Sequence, residues 1–219
     1  MRRPKKGMTP RTALERGTQE LGLELPQNSS EQLLAYVALL AKWNRTYNLT
    51  AIRDPLGMVQ LHLLDSLAVL PHLPLPTNGA RLVDAGSGAG LPGVPLALVR
   101  PQWRVALVEA NEKKAAFLRQ VVIELALDNV EVHVTRVQAW RPDSLFDLVI
   151  SRAFARLAEF IAACRHLAAP RGIFAAMKGK NPQKEILELP PDARCERLLR
   201  LRVPFGDAER HLVLCELRA

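Results

Sequence analysis

Apolar and polar positions along the chain change their period once, near residue 80. Before that point apolar residues recur at helical spacing. Leu14, Leu21 and Leu25 mark a helix over 11–25, and Leu33, Leu34, Val37, Leu40 and Ala41 mark a second. The second helix follows Ser29-Ser-Glu-Gln32, which has capping-box spacing. A third is predicted from Pro55 to Leu70, with proline at a position that helix starts accept. Pro71-His-Leu-Pro-Leu-Pro-Thr-Asn-Gly79 then breaks the pattern. Beyond it, short apolar runs at 81–85, 104–109, 130–135, 146–151 and 172–177 read as strands, with helices at 93–99, 112–126 and 155–168. Such alternation means parallel βαβ units. Two last strand-like runs, near 197–204 and 211–217, are joined only by Pro204 to Arg210. That connection is too short for a parallel crossover, so the two should pair antiparallel.

The division that follows is a basic disordered tail at 1–10, a helical extension at 11–78 and an α/β domain at 79–219. The most informative stretch opens that domain. Leu82-Val-Asp-Ala-Gly-Ser-Gly-Ala-Gly-Leu-Pro-Gly93 is an apolar strand running through glycines into a helix. A strand, a glycine turn and a helix start form the crevice where α/β sheets take nucleotide-like ligands. Gly86, Gly88 and Gly90 let backbone approach such a ligand, and a β-carbon at Gly88 is expected to obstruct it. Gly88 to Gly93 also matches the dinucleotide pattern G-x-G-x-x-G, so a nicotinamide oxidoreductase is the alternative reading. Asp84 argues against it, because a carboxylate at the turn repels a pyrophosphate. It suits the ammonium and sulfonium of S-adenosylmethionine. Glu109 ends the next strand, where a ribose-binding acid is expected. A parallel sheet closed by an antiparallel hairpin is the pattern of the class I S-adenosylmethionine-dependent, Rossmann-like methyltransferases.

Composition narrows the setting. The chain has 219 residues, enough for one full core with an extension. No apolar run approaches a membrane span and nothing near Met1 resembles a signal peptide, so a cytoplasmic location is expected. Cys164, Cys195 and Cys215 lack metal-type spacing and read as reduced thiols, and His62, His72, His133 and His166 share no ligand spacing; no metal is expected. The net charge is +8, and Arg2, Arg3, Lys5, Lys6 and Arg11 supply five of the charges. That balance fits a polyanionic partner such as nucleic acid.

Several blocks resemble the family of bacterial small-subunit (16S) ribosomal RNA methyltransferase G, also called glucose-inhibited division protein B. They are Trp43-Asn-Arg-Thr-Tyr-Asn-Leu-Thr50, Leu64-Asp-Ser-Leu67, Asp84 to Pro95, Glu109-Ala-Asn-Glu-Lys-Lys114 and Phe117-Leu-Arg119. Ser151-Arg-Ala-Phe154, Met177-Lys-Gly-Lys180 and Arg210-His-Leu-Val213 follow in order. The resemblance implies methyl transfer from S-adenosylmethionine to N7 of a guanine in the decoding region of 16S ribosomal RNA, free or in the small ribosomal subunit. It also carries cofactor contacts onto Gly86, Leu91, Val137, Gln138 and Arg152. Relatives commonly have Arg-Val-Glu-Glu where this chain has Arg136-Val-Gln-Ala139; if backbone groups read the adenine, that change is harmless.

The residues agree with this chemistry. Ser151-Arg-Ala-Phe154 is not the Asn-Pro-Pro-aromatic turn used to methylate exocyclic amines, and no cysteine sits at a strand end as a nucleophile for pyrimidine carbon. Guanine N7 needs neither, since its lone pair is an exposed acceptor. No general base is expected, and positioning supplies the acceleration. Arg152 is read as a contact to the methionyl carboxylate, the guanine or a phosphate, and Lys178 and Lys180 as phosphate contacts. Lys113 and Lys114, cations at a helix start, read equally as RNA contacts or as solvated helix charges, and Arg119 on the same helix carries no stronger reading. Trp43 and Tyr47 are read as core packing rather than base-stacking faces, Phe154 as a candidate stacking face, His211 as a structural pairing, and Asp65 as a tie between the helices and the sheet. A monomer is expected, and a non-catalytic RNA-binding relative is the remaining alternative.

Overall fold

The structure is a computed structural model that describes residues 7–152, 154 and 156–218. Most of the expected tail, residues 1–6, lies outside them. Four helical segments come first: α1 (Pro10–Glu20), α2 (Ser29–Tyr47), α3 (Pro55–Met58) and α4 (Leu64–Leu67). Seven strands follow: β1 (Arg81–Ala85), β2 (Arg104–Glu109), β3 (Val130–Val134), β4 (Phe146–Ser151), β5 (Ala168–Lys178), β6 (Ala193–Arg200) and β7 (His211–Leu217). Between them lie α5 (Gly93–Val99), α6 (Glu112–Glu124), α7 (Leu157–Cys164) and α8 (Gln183–Leu187). The strands form one sheet in the order β3-β2-β1-β4-β5-β7-β6. β1 to β5 pair in parallel, and β7 runs antiparallel between β5 and β6. The expected parallel sheet with a terminal hairpin is therefore present.

Alternation along the strands assigns the two faces. Leu82, Val105, Leu107, Leu148, Ile150, Leu212 and Leu214 point into the larger core, which α1, α2, α4, α5 and α6 also line. Val83, Ala85, Ala106, Val108, Val149, Val213 and Cys215 point the other way, onto α7. The order of strands reverses at β1 and β4, so the crevice beyond their carboxyl ends is the place where such a sheet takes a ligand.

Several boundaries differ from the sequence reading. Helix α1 stops at Glu20, not 25, because Gly22 turns the chain left-handed at φ 67°. The capping box at Ser29 does not form. Asn28 takes the cap position without a side-chain bond, while Ser29 Oγ donates to the Leu98 carbonyl and Gln32 Nε2 to that of Leu125. Those groups are spent on tertiary anchors. The helix expected over 55–70 is interrupted by a π-helical turn at Val59–Leu63, closed by the Leu64 N–H on the Val59 carbonyl. Strand β5 begins at Ala168 rather than 172, through an irregular register opposite β4, and β6 is centred four residues earlier than expected. All three cysteines are free, as expected; Cys164 and Cys215 are buried and Cys195 is half-buried.

Candidate active site

The turn after β1 is built from below. Its N–H groups at Gly86 and Ser87 both donate to the Val108 carbonyl, and Gly90 and Leu91 fold back onto the Ser87 carbonyl. Gly86, Gly88 and Gly90 adopt φ of 72°, 59° and 86°, a region that side chains strain to enter. The glycines differ in what surrounds them. A β-carbon at Gly90 would meet Val94 Cγ2 at 2.6 Å and Leu118 Cδ2 at 2.9 Å, and one at Gly93 would lie 2.8 Å from Asp84 Oδ2. At Gly86 it would meet nothing within 4 Å, and at Gly88 only the Gly86 carbonyl at 3.9 Å. Crowding by protein atoms thus sits at 90 and 93, and the space above 86 and 88 is open.

Two acids brace this turn. Asp84 is fully enclosed, not at the mouth; its Oδ2 accepts the Gly93 N–H at 2.8 Å at the start of α5. Its Oδ1 is buried without a hydrogen-bond partner, and burial pushes the carboxyl up to about 7. Glu109 accepts the Gly88 N–H with Oε2 and the Asn111 N–H with Oε1, both at 2.8 Å. It couples the glycine turn to the end of β2. From the far side, the buried Tyr36 hydroxyl of α2 donates to the Ala89 carbonyl at 2.6 Å. Ser151 Oγ donates to the Ala85 carbonyl at 2.8 Å and joins the ends of β4 and β1.

Two openings lie over this edge. A crevice of about 260 Å³ is lined by Gly86, Glu109, Val137, Gln138 and Phe154, among others. A second cleft, about 420 Å³, is lined by Thr50, His62, Asp65, Arg152, Lys178 and Arg210, among others. The segment after β4 serves both, with Arg152 in the cleft and Phe154 in the crevice, and Lys178 Nζ donates to the Phe154 carbonyl at 3.3 Å.

The cleft is organised around Asp65, which is 3% exposed. Arg210 Nε donates to its Oδ1 at 2.7 Å and Arg152 Nη1 to its Oδ2 at 3.3 Å. One carboxylate facing two guanidiniums leaves a positive charge over. Asp65 does tie the helical section to the sheet, through two arginines that follow β4 and precede β7. Lys178 is paired with Glu185 at 2.7 Å. His62 is buried and held neutral, its imidazole lowered to about 4 by burial first and by the Arg152 charge next. Its Nδ1 lies 3.0 Å from the Leu61 carbonyl and so carries the hydrogen, leaving Nε2 to accept from the Thr50 hydroxyl at 2.6 Å.

The structure therefore brings Gly86, Glu109, Val137 and Gln138 together around the crevice and puts Arg152 and Lys178 in the cleft. Asp84, Gly88, Gly90 and Leu91 lie beneath or beside these openings as turn architecture, and Leu91 is buried in the core. Lys180 is exposed beyond β5. His211, read as a structural pairing, is buried with Nδ1 unpartnered. No sequence pattern gives Thr50 or His62 a role in a site, and Arg210 reads only as the start of a strand within one of the resembling blocks. No local pattern joins Arg210 to Asp65; the antiparallel register that sets His211 opposite Lys178 does. No helix among the described residues is long and apolar enough to cross a membrane, and no cluster of His, Cys, Asp or Glu there could hold a metal ion.

Comparison with known proteins places this geometry. A family model described as rRNA small subunit methyltransferase G matches residues 29–213. The ribosomal RNA small subunit methyltransferase G of Chromobacterium violaceum is 51% identical over 207 residues, covering 94% of this chain and 98% of the relative. That of Nitrosospira multiformis is 49% identical over 214 residues, covering 94% and 97%. Among solved structures, TrmN from Thermus thermophilus aligns with a TM-score of 0.58 at 17% identity, over 80% of this chain and 53% of that one. A SAM-dependent methyltransferase from Aquifex aeolicus aligns at 0.56 and 19% identity, over 74% and 93%. At such identities these two speak for the fold alone.

Proposed function

The chain belongs to the rRNA small subunit methyltransferase G family, and from that premise we propose that it methylates N7 of a guanine in the decoding region of small-subunit ribosomal RNA. It is a methyltransferase that uses S-adenosylmethionine. The nicotinamide oxidoreductase alternative gains nothing from these comparisons. The observation that carries the site assignment is the pairing of a nucleoside-sized crevice, which Phe154 lines, with a cationic cleft, which Arg152 lines.

The crevice suits the cofactor's nucleoside. Gly86 leaves open space where a β-carbon would stand, and Glu109 keeps lone pairs for ribose hydroxyls beyond the two backbone N–H groups it already accepts. Val137 and Gln138 flank the same space, so Gln138 in place of the usual glutamate leaves the crevice wall in position. The bound cofactor supplies an electrophilic methyl group on a sulfonium. Arg152 and Arg210, sharing one carboxylate, offer their surplus charge to the methionyl carboxylate or to an RNA phosphate. Lys180 stands exposed on the same edge for a phosphate, whereas the Lys178 ammonium is already engaged with Glu185.

Guanine N7 attacks through its lone pair and has no proton to lose. The cleft agrees: its histidine is neutral, and both ring nitrogens are committed to Leu61 and Thr50. The chain's contribution is then orientation and electrostatics. The test is transfer of a labelled methyl group to small-subunit ribosomal RNA, followed by borohydride reduction and aniline scission, which cut at N7-methylguanosine. Label without scission would place the methyl group on another atom and overturn the N7 reading.

A further inference from the structure

The sequence reading assigned Trp43 and Tyr47 to the core, and the structure separates them. Trp43 is half-buried and its ring lies 5.7 Å from that of the fully buried Phe117. Tyr47, in the last turn of α2, is 44% exposed, with its ring 5.2 Å from Trp43 at an interplanar angle of 32°. Three rings thus form a ladder from the core outward, and only the outermost is open to solvent.

The surroundings of that ring are cationic. Arg53 on the following loop and Lys113 on α6 are exposed, and Lys114 is half-buried; Lys42 and Arg45, five and two residues before Tyr47, lie on other faces of α2. Arg53 Nη2 reaches Asn48 Oδ1, beside Tyr47, at 3.5 Å. Lys113 and Lys114 lie one helical turn before Phe117, on the side of the ladder. Arg53, Lys113 and Lys114 are not ion-paired among the described residues. The position is also fixed relative to the cleft. Asn44 donates to the Ile52 carbonyl at 3.0 Å and accepts the Thr50 N–H at 2.9 Å. The cleft-lining segment 50–52 is therefore stitched to the turn that carries Tyr47.

We infer that the outer face of Tyr47 is a stacking platform for an unstacked base of single-stranded RNA beside the nucleotide that enters the cleft, a role that rests on the RNA substrate proposed above. An aromatic face backed by a second ring is pre-organised, and cations around it match the phosphates on either side of a stacked base. A stacked base typically contributes enough for roughly a tenfold change in affinity when its ring is removed.

The test measures binding of a short oligoadenylate by the full chain, because stacking tolerates any base, together with methyl transfer to small-subunit ribosomal RNA. Tyr47→Ala should weaken oligoadenylate binding about tenfold and raise KM for ribosomal RNA at unchanged kcat. Tyr47→Phe should behave as the unaltered chain, and S-adenosylmethionine affinity should be the same in all three, which reports that the fold is intact. The salt dependence of binding should keep its slope in Tyr47→Ala, since no charge is lost. Equal binding by Tyr47→Ala, no binding by the unaltered chain, or a defect in Tyr47→Phe as large as in Tyr47→Ala would each overturn the platform. Oligoadenylate binding that follows the expected order without methyl transfer to ribosomal RNA would count against the functional reading and leave the platform standing.

Discussion

Asp65 and Arg210, separated by 145 positions in the chain, meet through a 2.7 Å hydrogen bond between Oδ1 and Nε. Arg152 takes the other oxygen. The helical section, the end of β4 and the start of β7 are thus joined at one buried carboxylate. Replacing Asp65 by alanine leaves two partly buried guanidiniums without their counter-charge. Breaking a buried pair typically costs about 3–5 kcal/mol; the arginines are partly solvated, so a loss near the lower end, roughly 3 kcal/mol, is expected. Thermal or urea unfolding reads it, and a change under 1 kcal/mol would show that the clamp does not hold the fold.

Glu109→Gln tests the brace between the glycine turn and β2. The substitution turns one accepting oxygen into a donor, facing an N–H of Gly88 or Asn111. One hydrogen bond to a charged acceptor is lost, about 1.5–3 kcal/mol. S-adenosylmethionine affinity should fall roughly tenfold or more in calorimetry, with the unfolding transition still cooperative. Wild-type affinity would remove Glu109 from the cofactor crevice.

The glycines should separate by effect. Gly90→Ala places a β-carbon against Val94 and Leu118 at a left-handed φ, so its damage is to stability. Gly86→Ala meets no protein atom and carries only the cost of the left-handed backbone, roughly 1–2 kcal/mol. Its methyl group intrudes on the crevice instead. Gly86→Ala should lose cofactor affinity out of proportion to its loss of melting temperature. The reverse ranking would show that the turn's open side faces away from the ligand.

Two buried groups set opposite pH dependences. The Asp84 carboxyl rises from its ordinary 3.8 to about 7 on folding. Its contribution to stability is full below pH 4 and is lost as pH climbs through 7. His62 falls from 6.5 to about 4. Its contribution is present above pH 6.5 and is lost as pH drops toward 4. In a pH series of denaturant unfolding, Asp84→Asn should gain on the unaltered chain from pH 4 to 7, by up to a few kcal/mol. His62→Gln should gain on it as pH falls from 6.5 to 4. Parallel curves for either variant would mean that the group keeps its ordinary titration in the fold.

The frame of the fold was legible because its signals are local. The runs at 81–85, 104–109, 146–151 and 211–217 are strands within the expected bounds, since each is a dense apolar stretch bounded by turn residues. The hairpin followed from the length of its connection alone. What was hidden depends on the third dimension. The π-helical turn adds a residue to one turn of a helix without breaking its apolar pattern. Ser29 and Gln32 carried a capping signature that tertiary carbonyls outcompeted. The acid and glycine positions around the cofactor turn were visible, but the bond from the Gly93 N–H to Asp84, which encloses that acid at the start of α5, was not. Tyr47 had the spacing of a core residue, and only the ending of α2 at Asn48, φ 49°, leaves it at the surface.

The three polar anchors of α2 bear on the order in which the chain is made. Ser29, Gln32 and Tyr36 donate to carbonyls of Leu98, Leu125 and Ala89, which lie 69, 93 and 53 residues downstream. As synthesis proceeds from the amino terminus, this helix leaves the ribosome before any of those acceptors does. Its donors and apolar stripe are matched in full only once β1, α5, β2 and α6 have emerged to receive them. Helix α2 is thus a part that waits, and Tyr36 clamps the glycine turn only once Ala89 is available to it.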